Sequence, residues 1–91
     1  MDKKDYFLMT DILNDIRLER LSQDEKWGRQ RHRYGVWLAI LGEEFGEVCE
    51  AMQIGMQSEK KTDANNLYEE LIQVAAVACA IAEQVKEELN E

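Results

Sequence analysis

Apolar residues return at three- and four-residue steps in three separate segments, which is the period of one face of an α-helix. In the first, Met9, Ile12, Leu13 and Ile16 share a face, predicting a helix from about Asp5 into the mid-twenties. Ser22 and Glu25 have the spacing of a capping box, so the pattern leaves open whether this helix runs through or restarts there. The stretch WGRQRHRYG, Trp27 to Gly35, breaks the period and reads as a connector. A second helix is predicted from Val36 to Met56, and a third from an N-cap at Thr62 or Asp63 to about Leu89. The third helix carries Leu67, Leu71, Val74, Ala78, Ile81 and Val85 as its main stripe, with Tyr68, Ile72, Ala75, Cys79 and Ala82 alongside. That face is wider than one helical hairpin can cover, so part of it is expected to pack against another subunit.

Glutamates interrupt these stripes where core residues belong. In the second helix the series Ile40, Glu44, Glu47, Ala51, Ile54 and the series Val36, Ile40, Glu43, Glu47, Glu50, Ile54 both begin and end apolar. In the third helix Leu67, Glu70, Val74, Val77, Ile81 does the same. The periodicity therefore turns these carboxylates inward. No lysine or arginine lies between Tyr34 and Glu59, or between Thr62 and Val85. Unpaired carboxylates on a semi-buried face are costly or take up protons.

A hard divalent cation resolves the conflict, because Mg²⁺ prefers carboxylate oxygens. Glu44 with Glu47 on one helix, and Glu70 with Gln73 on the next, are pairs three residues apart and can converge on one ion. Gly42 and Gly46 each cost ~1 kcal/mol in a helix interior, and would permit close approach of a neighbouring helix or ligand. The bland reading is a solvated acidic face, since a Glu-x-x-Glu pair alone is weak. A di-iron bundle needs Glu-x-x-His motifs, and the single histidine, His32, lies outside both acidic helices. Zinc lacks a suitably spaced Cys/His set.

Composition narrows the class further. The chain has 91 residues, no proline and five glycines, which suits one all-α domain spanning 1–91 and disfavours a strand-and-turn sandwich. A domain this short buries only roughly 60–65% of its unfolded surface, a second reason to expect a homo-oligomer, dimer or tetramer. The expected architecture is a helical hairpin plus an N-terminal helix, made into a four-helix-type bundle by association. A net charge of −8 argues against nucleic acid and anionic membranes as partners. No run of ~18 apolar residues is present to span a membrane. MDKKDYF has no long apolar run behind its charges, so no signal peptide is expected and the cytoplasm is the simplest location. Cys49 and Cys79 sit in apolar patterns and read as small core fillers rather than a disulfide framework.

Glu43-Glu44-Phe45-Gly46-Glu47, followed by Glu70-Leu71-Ile72-Gln73, resembles the E-E-x-x-E and E-x-x-D motifs of MazG-like, all-α nucleoside triphosphate pyrophosphohydrolases. The similarity covers roughly Leu21 to Val85, including the order of helices. The resemblance implies Mg²⁺-dependent hydrolysis of a (deoxy)nucleoside triphosphate to monophosphate and pyrophosphate, with Mn²⁺ as a substitute ion. By position it makes Glu44, Glu47 and Glu70 metal ligands, with Glu43 supporting a second ion or orienting the attacking water. Glu43 and Glu47 then stand as the catalytic pair. Gln73 departs from the family's aspartate: its carbonyl can ligate, but it brings no charge and cannot act as a base. Arg29, Arg31, His32 and Arg33 are candidates to hold the phosphate tail, within the chain or across a subunit boundary, or form a solvated basic connector; Trp27 either stacks on a base or, the more favoured reading, anchors the connector to the bundle. The alternative, which Gln73 keeps open, is a non-catalytic helical interaction module with a degenerate metal site.

Overall fold

The computed structural model describes the backbone of residues 1–57 and 64–91, and side chains outside 55–65. Three helices account for it: α1 (Lys3–Trp27), α2 (Tyr34–Gln57) and α3 (Ala64–Leu89). The Thr62 and Asp63 cap candidates lie outside the described residues. The first helix starts earlier than its apolar period suggests, because the Asp2 side chain accepts the Asp5 backbone N–H at 2.9 Å and caps it. It runs through Ser22 without a restart, since neither glycine nor proline intervenes before Gly28.

Gly28 ends α1. Its N–H donates to the Asp24 carbonyl, and its backbone stands at φ 76°, ψ 178°, a region open essentially to glycine alone. Nothing lies within 4 Å of a Cβ built there, so a substitution meets strain rather than a clash. Gly28→Ala is therefore expected to cost ~1–3 kcal/mol. Thermal unfolding followed by circular dichroism should show a Tm lower by at least about 4 °C.

The third helix is the centre of the molecule. Both α1 and α2 pack on it, and among the described residues their backbones do not meet each other. α2 runs antiparallel to α3, placing Trp37 beside Gln84 at one end and Glu47 beside Glu70 at the other. α1 crosses in the same sense as α3, tied at Asp15–Tyr68 and at Arg20–Glu83. Trp37, Val77 and Ala80 form the compact part of the core, with Ile40, Leu41 and Ile81 against it.

Packing decides which overlapping stripe faces inward. On α2, Ile40, Glu44, Glu47 and Ala51 are buried or half-buried, whereas Val36, Glu43, Glu50 and Ile54 are exposed. On α3 the buried line is Ile72, Ala76, Val77, Ala80 and Gln84. Leu71, Ala78, Cys79 and Ala82 of the anticipated stripes remain exposed. Cys79 is thus no core filler; its thiol lies 3.7 Å from Glu83, and burial followed by that carboxylate pushes its pKa up. On α1 only Ile12 and Ile16 turn inward from the predicted face, while Met9 and Leu13 are exposed. Every residue from 1 to 11 is exposed, including Tyr6, Phe7 and Leu8, each more than half accessible. No described large side chain is fully buried.

Candidate functional site

Glu44 and Glu47 sit three residues apart on α2, and Glu70 faces them from α3. All three are half-buried, and one oxygen from each lies within 4.8 Å of the other two. Glu44 Oε2 and Glu70 Oε2 are buried and accept no hydrogen bond. Among the described residues none of the three pairs with a lysine or arginine. Two carboxylate oxygens removed from water without a donor are a standing cost.

The charges respond as such a cluster must. Burial raises the pKa of Glu44, and the charges of Glu47, Glu43 and Glu19 raise it further. Burial likewise raises Glu70, followed by its hydrogen bond to Glu47 and the charges of Glu47, Glu44 and Glu69. An all-oxygen, anionic donor set drawn from two rigid helices suits a hard divalent cation. Gln73, one turn beyond Glu70, is half-buried and lines a cleft beside Glu44. Glu43 is exposed and stands outside the trio.

The cleft, about 350 Å³, opens between α1 and α2 over α3. Ile40 and Val77 give it an apolar floor, Gln23, Gln30 and Gln73 contribute amides, and Trp27 borders it. Lys26 also lines it, with Nζ 5.2 Å from the centre of the Trp27 ring. Trp27 is 59% exposed, so its ring lies outside the core.

The basic connector is placed elsewhere. Arg29 and Arg31 both bond Glu87, Arg31 through Nε at 2.9 Å and Nη2 at 2.7 Å. Glu87 lies seventeen residues beyond Glu70 on α3, which is about 25 Å along the helix. Within one chain these arginines are occupied and remote from the carboxylates. His32 donates its backbone N–H to Gln84 and packs edge-on against Trp37 at 4.7 Å between ring centroids. Arg33 is exposed, and its carbonyl accepts the Val36 and Trp37 N–H groups at the start of α2.

Four polar cleft residues escaped the sequence reading: Glu19, Gln23, Lys26 and Gln30. A signal for two of them exists. Continuing the Ile12–Ile16 stripe by three- and four-residue steps lands on Glu19 or Arg20 and then Gln23 or Asp24, polar residues at inward positions. Arg20 is buried at 8% exposure, held by Asp24 and by Glu83 at 2.6 Å.

Opposite pKa shifts give the metal-free protein two pH limbs. Glu87 is held at about 2, first by its hydrogen bond to Arg31, against a reference of 4.5. A lowered carboxylate contributes stability above its unfolded pKa and loses it as pH falls toward the folded value. Glu44 and Glu70 are raised, so their contribution is greatest below 4.5 and is lost as pH rises through their folded values. Melting curves without divalent ions should show Glu87→Gln removing part of the loss between pH 4.5 and 2. Glu70→Gln should remove part of the loss on the other side. Identical pH profiles for all three proteins would contradict both assignments.

Fold and site together define an all-α chain with a three-carboxylate cluster bordering a cleft. Comparison with protein-family profiles, with curated proteins and with solved structures returns no match.

Proposed function

We propose that Glu44, Glu47 and Glu70 hold Mg²⁺, and that the chain hydrolyses a (deoxy)nucleoside triphosphate to the monophosphate and pyrophosphate. The observation that carries the reading is the trio itself: three inward carboxylates on two helices, two with orphaned oxygens and none with a basic partner among the described residues. Its support from sequence is the resemblance of Glu43–Glu47 and Glu70–Gln73 to MazG-like motifs.

A bound divalent ion would neutralise phosphate oxygens and make a coordinated water more acidic. Water adds to the α-phosphorus, the bond to the bridging oxygen breaks, and pyrophosphate leaves. The chain's own residues hold the ion (Glu44, Glu47, Glu70), accept the water's proton (Glu47), and seat the base against Trp27 in the cleft. Lys26, on the cleft wall, would meet a phosphate oxygen; Arg29 and Arg31, engaged by Glu87, take no part in this within one chain. Glu43, outside the trio, is likewise given no ligand role.

The proposal includes a homo-oligomer. Among the described residues eighteen large hydrophobics are exposed, including Leu38, Phe45 and Met52 of α2, and contiguous exposed apolar surface marks interaction sites. Gly42 and Gly46 have open space beside them within the chain, so the close approach their size permits falls to a second copy. The alternative, a non-catalytic interaction module, is favoured by one observation, Gln73 in place of a charged ligand.

A phosphate-release panel over the common nucleoside triphosphates, with Mg²⁺ or Mn²⁺ and added inorganic pyrophosphatase, tests the reading. Phosphate that appears only with both the metal and pyrophosphatase supports it. No release from any nucleotide would return the choice to the interaction module.

A further inference from the structure

The last turns of α3 hold the α1–α2 connector through one buried amide. Gln84 is only 8% exposed, and its side-chain amide makes four hydrogen bonds. Its Oε1 accepts the His32 backbone N–H at 3.0 Å and the Trp37 indole N–H at 2.7 Å. Its Nε2 donates to the His32 carbonyl at 2.8 Å and to Glu88 at 3.2 Å. Both backbone groups of His32 are therefore fixed by one side chain, as a strand neighbour would fix them. His32 passes the constraint on: its Nε2 lies 2.7 Å from the Gln30 side-chain oxygen, and Gln30 lines the cleft. Glu87 and Glu88 reinforce the hold through Arg29, Arg31 and Tyr34.

A buried glutamine with every polar group engaged is a demanding arrangement in a core this small. Leucine or methionine would fill the same volume and pack against Trp37 at least as well. What the amide adds is the position of residues 30–32, and with it one wall of the cleft. We infer that Gln84 is a positioning residue: it sets Gln30 through His32 and so governs how tightly the cleft holds the nucleoside part of its ligand. This rests on the proposed nucleotide-binding reading only for the identity of that ligand. The carboxylate trio is outside its reach, since Glu70 lies fourteen residues back along α3, about 21 Å.

The test uses the full chain and the variants Gln84→Met and Gln84→Glu. Glutamate keeps the two accepted bonds but loses the donations to the His32 carbonyl and to Glu88 and sets an anionic oxygen against each, so it too should release residues 30–32. With the nucleoside triphosphate that the phosphate-release panel selects, KM should rise about tenfold or more in both variants. Turnover at saturation and Mg²⁺ affinity should stay within about twofold in both. A KM within twofold of the parent in folded Gln84→Met would overturn the inference. So would a parallel loss of turnover and Mg²⁺ affinity in Gln84→Met, which marks general damage.

Hydrogen exchange separates failure of this inference from failure of the nucleotide reading. The His32 amide should be protected in the parent and exchange at least tenfold faster in Gln84→Met, with Gln30 to His32 affected together and Glu44 to Val48 unchanged. If no nucleotide is turned over but this exchange pattern holds, the nucleotide reading fails and the positioning role stands. Unchanged exchange at His32 removes the positioning role whatever the nucleotide assay gives.

Discussion

Glu70→Leu is expected to make the metal-free protein more stable while abolishing its response to Mg²⁺. Glu70 lies on α3 in an otherwise apolar line, its Oε2 is buried without a donor, and Glu47 and Glu44 raise its pKa after burial does. Replacing an uncompensated inward charge with a hydrophobe is often favourable by ~1–4 kcal/mol. Glu70 is half-buried, which places the gain toward the lower end of that range. Metal pulls the other way: a ligand at 100 times its Kd adds about 2.7 kcal/mol to the native state. Melts of both proteins, with and without Mg²⁺, should therefore cross. The parent should gain Tm on adding Mg²⁺, and Glu70→Leu should start higher and gain nothing. A surface glutamate would change stability by no more than about 0.5 kcal/mol and leave the Mg²⁺ response intact.

Gln73→Asp should act in the opposite sense. Gln73 stands one turn beyond Glu70 and borders the cleft beside Glu44. A carboxylate there adds an anionic oxygen to the donor set, and hard cations gain from each one. Mg²⁺ affinity should rise, with turnover rising or persisting, while metal-free stability falls because a further like charge joins Glu44, Glu47 and Glu70. If the Gln73 amide instead makes a specific bond to the ligand, turnover drops as Mg²⁺ affinity rises. Titration calorimetry beside the turnover assay distinguishes the two.

How much of this was legible beforehand differs between elements. The three helices follow from the apolar period, and their described ends fall within two residues of expectation, because that period breaks only over Trp27–Gly35 and over the polar stretch before Thr62. Only one of the two acidic stripes on α2 could be right. The choice of Glu44 over Glu43 came from where α3 lies, which no local pattern encodes. Glu47 and Glu70 were legible because an inward carboxylate without a cation breaks the consistency expected of a folded sequence. The arginines were not: Arg31 and its partner Glu87 are 56 residues apart, and no local spacing reveals a pairing of that length. Gln84 was invisible for a similar reason. A lone glutamine on a helix means nothing until the connector it holds is folded against it.

The central claim is that Glu44, Glu47 and Glu70 together form a divalent-cation site, and direct titration with Mg²⁺ tests it most plainly. Calorimetry on the parent chain and on Glu47→Gln, at neutral pH and without nucleotide, is the measurement. Saturable binding in the parent, weakened at least tenfold in Glu47→Gln with helicity unchanged, is the predicted result. Failure of the parent to bind Mg²⁺ at millimolar concentration, or equal binding by the two proteins, would contradict the site.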